Sequence, residues 1–253
     1  MNVTVCTWTF RDSERLRVQA ECLRAQTFED FEWVLIDDLW EGRQGFLDDM
    51  ELPFPVVHKP PREVIEHYAP DMAVNTGLVY ARGELIYFMG DSIKVLPGTL
   101  ERHWEIYEAY GPNVIIGGQV HGHDIQSRSY DQGLETDLFE IVKPDTLIRN
   151  AFLGRNDSAP LDRILDVNGL DEHFGMRSGT DTIFAQRLMQ LGCRYLVDTK
   201  ETVEMVTGHK PRKPERGFGP RWQDEYGLAC QGPSTSSCPI NLRAEREKIC
   251  VSS

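Results

Sequence analysis

The chain has 253 residues, of which 40% are hydrophobic and 26% charged, and its formal net charge at pH 7 is -13. This composition is typical of a soluble globular protein, and the length suits one large α/β domain or two small ones. The acidic balance argues against a nucleic-acid partner, because binding the phosphate backbone needs clustered Lys and Arg. The sequence shows neither a secretory signal nor an apolar run of about 20 residues, so we expect a cytoplasmic protein without a membrane span.

The first 120 residues predict alternating strands and helices. Residues 3–9 alternate as a strand does, and Asp12-Ser13 then offers a cap for a helix. Further strands are predicted at 32–38, 55–58, 85–89 and 113–120, and further helices through 73–80 and from Pro97 onward. Repeated βα units indicate an α/β fold with a mostly parallel central sheet and flanking helices.

The second half of the chain is less regular. Residues 121–137 are polar and predict a loop or insertion, whereas 181–191 have helical spacing and 195–197 a strand pattern. From His209 onward Gly and Pro dominate. We therefore divide the chain into a domain at 1–210 and a C-terminal loop and tail at 211–253.

The six cysteines are scattered and do not imply disulfides. Cys6, Cys22 and Cys193 lie in apolar segments, where we expect buried thiols. Cys230, Cys238 and Cys250 fall in the polar tail and lack the close C-x-x-C pair that is typical of a zinc site.

Three stretches resemble motifs of the family 2 glycosyltransferases, which have the GT-A fold. The first, QTFEDFEWVLIDD from Gln26, is similar to the family's Q-T-x-x-D-x-E stretch and the strand that follows it, which ends in an acidic pair. The second contains AVNTG from Ala73, ARGELIYFM from Ala81 and then Leu96-Pro97, like A-R-N-x-G, A-x-G-E-x-I-x-F-L and L-P. The third contains VNGLDEHF from Val167, residues 179–182 and Arg187-Leu188, like G-G-F-D-E-x-F, E-D and R-L.

This resemblance covers roughly residues 1–200 and implies a GT-A fold with a Rossmann-like nucleotide-binding half. It implies that a nucleotide sugar is bound by Thr7, Thr9, Asp37, Asp38, Asn75, Gly90 and Asp91. The family holds a divalent cation, Mn²⁺ or Mg²⁺, with an acidic D-x-D element after the fourth strand. Here Gly90 and Ser92 stand where the family has acids, so the expected metal ligands are Asp91 and His209.

Asp181 matches the aspartate of the E-D motif, which in inverting members of the family is the general base. Thr180 replaces the preceding glutamate, so the acceptor contacts are expected to differ. A role of Asp181 as a helix cap is compatible with the same position. Lys210 and Arg212 follow His209 in a basic loop that is expected to close over the donor's diphosphate.

The resemblance thus implies an inverting, hexosyltransferase-like enzyme of carbohydrate biosynthesis. Its donor would be a nucleoside-diphosphate sugar, with a UDP-sugar as the first expectation, and its acceptor a glycan or another hydroxyl compound. One alternative is a degenerate domain that binds nucleotide sugar or glycan without turnover, because Gly90, Ser92 and Thr180 replace acids. A second alternative is a sugar-1-phosphate nucleotidyltransferase, but residues 8–12 do not resemble the Gly-rich, Arg-containing loop of that class.

Overall fold

The structure, a computed structural model, describes residues 1–63, 69–120, 138–141, 156–172, 180–206 and 238–252. Its strands are β1 (Val3–Thr9), β2 (Phe31–Asp37), β3 (Val56–Lys59), β4 (Leu85–Phe88), β5 (Ile93–Lys94), β6 (Val114–Val120), β7 (Leu138–Ile141), β8 (Asp157–Pro160) and β9 (Arg194–Met205). Its helices are α1 (Ser13–Arg24), α2 (Pro70–Tyr80), α3 (Thr99–Tyr110), α4 (Leu161–Asp166), α5 (Thr180–Gln190) and α6 (Leu242–Ser252), with short 3-10 turns at Trp40–Gly42 and Asp48–Met50. Within these residues, no helix is long and apolar enough to cross a membrane.

The strands form one sheet in the order β3-β2-β1-β4-β8-β6-β9-β5, and β7 also pairs with β9. The pairings among β3, β2, β1 and β4 are parallel, as is that of β6 with β9. The expected α/β class is therefore confirmed. The sequence analysis missed β8, which is antiparallel to both β4 and β6. Its four residues, DSAP, have little strand propensity, and the sheet holds them through burial and pairing.

Helices cover both faces of the parallel strands. Val5 and Tyr87 lie on one face with α1 and α3. Cys6 and Phe88, the next residues along the same strands, lie on the other face with α2, α4 and α5. Successive side chains of a strand point to opposite faces, so the continuous apolar runs of β1, β2 and β4 serve two cores at once.

A buried carboxylate joins the three central parallel strands. Glu32 of β2 accepts a hydrogen bond from Thr4 Oγ1 of β1 at 2.7 Å and from the backbone N–H of Arg82, just before β4, at 2.6 Å. The Arg82 guanidinium pairs with its second oxygen at 2.7 Å. Gly83 lies so close to β1 that a Cβ there would be 2.4 Å from the Thr4 nitrogen. The Glu of the first motif and the Gly of the second therefore both contact Thr4 of β1.

The remaining parts of these two motifs also bind each other. The Gln26 side chain donates to Leu96 O at 2.7 Å and accepts from Leu100 N at 3.1 Å. The backbone N–H of Thr27 donates to Pro97 O at 2.9 Å. The Q-T pair after α1 thus holds the L-P turn that begins α3.

The sequence analysis placed residues 242–252 in a C-terminal loop and tail, but they form the helix α6. Leu242 is fully buried in the core beside α2, and Arg246 donates to the carbonyl oxygens of Leu78 and Ala81 at the end of α2. This part of the tail is therefore integral to the domain. Among the described side chains of this helix only that of Leu242 is buried, so the segment has no strong apolar pattern. The division at residue 210 lies outside the described residues and stays a prediction.

The thiols of Cys6, Cys22 and Cys193 are buried, as expected, and burial raises their pKa values. Cys238 is half-buried, with its sulfur 3.3 Å from Glu172 Oε1. Cys230 and the side chain of Cys250 lie outside the described residues.

A buried histidine connects α3 to β8. His103 is fully buried, with Nδ1 2.8 Å from Ser158 Oγ and Nε2 3.3 Å from Asn156 Oδ1. Tyr87 donates its hydroxyl hydrogen bond to the same Asn156 oxygen and packs its ring edge-on against the imidazole. Burial lowers the pKa of His103 from 6.5 to about 4.

His103 should therefore make the fold sensitive to acid. The unfolded chain takes up a proton near pH 6.5 and the folded protein only near pH 4, so stability is full above 6.5 and falls as the pH drops through that window. We expect the wild type to lose about 3 kcal/mol more than His103→Gln between these limits. Urea unfolding at several pH values measures the difference. Ser158→Ala keeps the imidazole, so its free energy of unfolding should change with pH as steeply as that of the wild type. The same pH dependence for wild type and His103→Gln would contradict this account.

Candidate functional site

The strand order places a crevice between β1 and β4. The chain runs from β1 outward to β2 and β3 and then returns to the other side of β1 to form β4. In open α/β sheets, ligands bind at the carboxyl ends of the strands on either side of such a reversal. Here those ends are Thr9 to Arg11 and Met89 to Asp91. The predicted site residues Thr9, Gly90 and Asp91 are thus brought together.

Asp91 is held by groups that follow β1. Its Oδ2 accepts a hydrogen bond from Thr9 Oγ1 at 3.0 Å and lies 3.1 Å from Arg11 Nε. The guanidinium of Arg11 stacks on the Phe10 ring, with 5.2 Å from its central carbon to the ring centroid. Arg43 donates to the backbone oxygen of Arg11 and fixes the same loop. Sequence reasoning missed Arg11, although it directly follows the predicted first strand.

Asp91 lies in a cluster of paired charges. Burial raises the pKa of Asp91, while the Arg11 charge and the Thr9 hydrogen bond oppose that shift. Arg15, in the first turn of α1, is also buried and lies within electrostatic reach of Arg11, Asp91 and Asp12. Two guanidinium groups and two carboxylates therefore meet at this edge of the sheet.

Gly90 contributes its backbone to this edge. The Gln19 side chain donates to Gly90 O at 2.9 Å, and the N–H of Ile93 donates to the same oxygen at 3.0 Å. These bonds close the turn after β4 and keep its carbonyl inside the protein.

The acidic pair after β2 divides into an inner and an outer residue. Asp37 is fully buried and is contacted by Arg43, by His58 Nε2 at 3.0 Å and by the N–H of Leu39 at 2.9 Å. Asp38 is partly exposed, and its N–H donates to Thr9 O at 2.9 Å. Asp38 is therefore the member of the pair that a ligand in the crevice can reach.

An open groove lies beside Asp37 along the outer edge of β3. Its lining includes Trp40, Leu47, Phe54 and His58. His58 contacts Asp37 from this side. The groove therefore combines aromatic and apolar side chains with charged ones, among them Asp48, Glu51 and Lys59, close to the acidic pair.

Two of the predicted nucleotide-binding residues are buried and bind other parts of the protein. Thr7 is fully buried and accepts a hydrogen bond from Trp33 Nε1 at 3.0 Å. Asn75 of α2 is also fully buried and binds both the N–H and the C=O of Leu170, at 2.9 and 2.8 Å, and Glu172 at 2.9 Å. Any effect of these residues on a ligand passes through the strands and loops that they hold.

Asp181 lies in an acidic region at the beginning of α5. Thr180 donates its hydroxyl hydrogen bond to Asp71 Oδ1 at 2.8 Å, which ties α5 to the first turn of α2. Asp171 pairs with Arg187 at 2.5 Å and Glu172 with Arg62 at 2.5 Å. Asp181 itself is half-buried. The third motif is thus assembled by bonds among its own residues and α2.

Asp71 is a neighbour of Asp181 that sequence reasoning missed. Its side chain is buried, which raises its pKa well above the ordinary 3.8. The Thr180 hydrogen bond opposes this rise, and the charges of Asp181, Asp171 and Glu172 add to it. The site therefore contains one partly exposed carboxyl group, that of Asp181, and one enclosed carboxyl group, that of Asp71, whose pKa is raised by burial.

The residues at Asp91 do not fit the cation that the resemblance implies. Mg²⁺ and Mn²⁺ bind through several oxygen ligands. The Gly90-Asp91-Ser92 segment supplies only one carboxylate, that of Asp91. Its Oδ2 already faces a guanidinium, which would repel a cation. In the part of the chain that is described, no group of three His, Cys, Asp or Glu side chains is arranged to hold a metal. His209, Lys210 and Arg212 lie outside that part.

Comparisons with known proteins show the fold. No protein-family model and no curated protein matches the sequence. S. aureus TarS 1–349 in complex with UDP superposes with a TM-score of 0.67 at 14% identity, over 81% of this chain and 60% of that one. Its complex with UDP-GlcNAc gives 0.66 at 14% identity, over 84% and 60%. The mannosyltransferase PcManGT from Pyrobaculum calidifontis, in complex with GDP-Man and Mn²⁺, gives 0.57 at 13% identity, over 83% and 58%.

The chain therefore has a glycosyltransferase fold of the GT-A type. At this identity the likeness concerns the fold alone, and the assignment to family 2 stays a prediction. The chain spans 60% of the length of the TarS fragment.

Asp71 should make stability depend on pH in the direction opposite to His103. Its carboxyl is neutral in both states below about pH 3.8, and the folded protein resists its ionisation, so stability is lost as the pH rises. Asp71→Asn keeps an acceptor for Thr180 and removes the ionisation. We expect this variant to gain stability relative to the wild type as the pH rises above about 3.8, as measured by urea unfolding at several pH values. Thr180→Ala removes the hydrogen bond that opposes the rise in the pKa of Asp71, so this variant should lose more stability than the wild type as the pH rises. A stability difference between Asp71→Asn and wild type that does not change with pH would contradict this account.

Proposed function

We propose that the chain is an inverting glycosyltransferase that moves a hexosyl group from a nucleoside-diphosphate sugar to an acceptor hydroxyl. The observation that carries the proposal is the crevice between β1 and β4. It brings Asp38, Arg11 and Asp91 together at the strand ends of a fold shared with structures that hold UDP, UDP-GlcNAc and GDP-Man. We take a UDP-sugar as the first donor, because two of these neighbours contain UDP or UDP-GlcNAc.

We assign each chemical part of the donor to its own group of residues at this edge of the sheet. Asp38 accepts hydrogen bonds from the ribose or base, with Asp37, Thr7 and Asn75 holding the surrounding strands. We assign the nucleobase to the groove beside Asp37, where Trp40 and Phe54 supply aromatic rings among polar and charged side chains. The diphosphate lies toward Thr9, Gly90 and Arg11. From the loop beyond the described residues, Lys210 and Arg212 add positive charge to the same group.

The chemical step is a single displacement. The acceptor oxygen attacks the anomeric carbon and forms the new glycosidic bond, while the bond from that carbon to the diphosphate oxygen breaks. The electron pair leaves with the diphosphate, and the acceptor's proton passes to Asp181. Attack opposite the leaving group inverts the anomeric centre.

Asp181 suits the base better than Asp71 because it is accessible. A general base must lie within hydrogen-bond reach of the hydroxyl that it deprotonates. Asp181 is half-buried at the first turn of α5, whereas Asp71 is enclosed and has a raised pKa. Asp71 acts as a positioning residue through Thr180.

The alternative function is binding of a nucleotide sugar or glycan without turnover. It is favoured by Gly90, Ser92 and Thr180 at positions where the family has acids. The two functions differ in one measurable property, the release of nucleoside diphosphate.

Asp181→Asn tests the mechanism. Wild type is screened with UDP-, GDP- and dTDP-sugars and a panel of mono- and oligosaccharide acceptors for nucleoside diphosphate release. With the donor so identified, we expect Asp181→Asn to lower turnover by about 100-fold or more, since it removes the proton acceptor. Calorimetric affinity for the donor should stay within about twofold, because the base does not hold the nucleotide.

Asp162→Asn is the matched control, since Asp162 is also a first-turn carboxylate but lies exposed on α4. It should retain wild-type turnover. Undiminished turnover in Asp181→Asn would exclude Asp181 as the base. Donor binding by the wild type without release from any donor would replace the enzyme proposal with the binding function.

A further inference from the structure

We propose that Arg11, oriented by Asp91, is the cationic group that binds the donor's diphosphate, and that donor binding therefore does not need a divalent cation. This inference rests on the proposed function. It departs from the cation site that the resemblance implies and assigns Asp91 a different task. In this arrangement Asp91 is a positioning residue and Arg11 contacts the ligand.

The exposure of the two side chains decides which of them meets a ligand. The Arg11 side chain is 17% exposed and the Asp91 side chain 8% exposed. In addition, Oδ2 of Asp91 is already in contact with Thr9 Oγ1 and Arg11 Nε. A group that arrives from solution at this edge therefore meets a guanidinium in front of a carboxylate. Such a surface attracts a phosphate and repels a metal ion.

Arg11 is also held in a fixed orientation. Asp91 contacts its Nε, the Phe10 ring lies against its guanidinium plane, and Arg43 donates to its backbone oxygen. A planar guanidinium presents paired N–H groups that match two phosphate oxygens. Arg11 Nε lies 3.1 Å from Asp91 but is buried and forms no hydrogen bond within the described residues, so we assign the contact with the diphosphate to the terminal nitrogens. Holding the side chain in advance lowers the entropy cost of binding.

The neighbouring charge supports the same role. Arg15 lies close enough to act electrostatically on Arg11 and Asp91, and together the two guanidinium groups balance the carboxylates of Asp91 and Asp12. The N-terminus of α1 begins at Ser13, two residues after Arg11, and its dipole adds positive potential. A divalent cation at Asp91 would have to displace Arg11 against this field. A diphosphate needs no such rearrangement.

The test compares nucleoside diphosphates with nucleosides by calorimetry. Wild type, Arg11→Gln, Arg11→Lys and Asp91→Asn are titrated with UDP, GDP and dTDP and with uridine, guanosine and thymidine. Each titration is run in EDTA and in Mn²⁺. Arg17→Gln is the control, because Arg17 is an exposed arginine of α1 that stacks on Phe46. Far-UV circular dichroism verifies that each variant is folded.

We expect the wild type to bind its nucleoside diphosphate equally well in EDTA and in Mn²⁺, within about twofold. Arg11→Gln should weaken that binding by about 10- to 100-fold and leave nucleoside binding unchanged, since a charge-assisted contact to phosphate is lost. Arg11→Lys should lie between the two, and Arg17→Gln should match the wild type. Asp91→Asn keeps an oxygen that can orient Arg11 and removes the opposing negative charge, so it should bind the diphosphate at least as tightly as the wild type does.

Other results would overturn the inference. Binding that requires Mn²⁺ and disappears in Asp91→Asn would assign Asp91 to a cation, while the glycosyltransferase proposal would stand. Equal weakening of nucleoside and nucleoside diphosphate in Arg11→Gln would show that the Arg11–Asp91 pair only stabilises the loop. Failure of the wild type to bind any of the three nucleoside diphosphates, with or without Mn²⁺, would overturn both proposals.

Discussion

The parallel half of the sheet depends on the pairing of one buried carboxylate, that of Glu32. A charge in this position is tolerated only when hydrogen bonds satisfy it, and those bonds come from Thr4 on β1 and Arg82 before β4. One side chain thereby sets the positions of three neighbouring strands. The same register places Thr9, Asp37 and Asp91 at a common edge. The geometry of the crevice is thus set about 17 Å of strand away from it, near the opposite end of β1.

The buried carboxylates of the crevice are likewise paired with groups of the protein. Asp37 is enclosed by Arg43 and His58, and Asp91 by Thr9 and Arg11, so neither carboxylate presents itself directly to solution. Asp38 and the guanidinium of Arg11 are the more accessible groups. The edge therefore combines an acceptor for hydroxyl groups with a donor for phosphate oxygens, side by side. This combination matches the two chemical halves of a nucleoside diphosphate better than a purely acidic edge would.

The sequence predicted those features that local patterns encode. The apolar runs of β1, β2 and β4 and the helix α2 were found, and the motif residues proved to be one another's partners, as Asp171 and Arg187 illustrate. β8 was missed because a strand of DSAP forms only when β4 and β6 flank it. The sequence indicated Asp91 as a site residue, but it did not predict the partners of its carboxylate. The hydrogen bond from Thr9 to Asp91 joins residues 82 positions apart, and no local sequence pattern predicts a contact of that range. The base role of Asp181 and the roles of His209, Lys210 and Arg212 stay predictions.

The docking of α6 on α2 also constrains how the chain folds. Arg246 caps the carbonyls of α2 across 165 residues of sequence, and Leu242 fills the core beside the same helix. Contacts of such long range form slowly, because loop closure costs entropy before the contact stabilises anything. During synthesis, β1 to β4 emerge from the ribosome long before α6 does. The growing chain must therefore carry an uncapped α2 and an unfilled core position until α6 has been synthesised and docks.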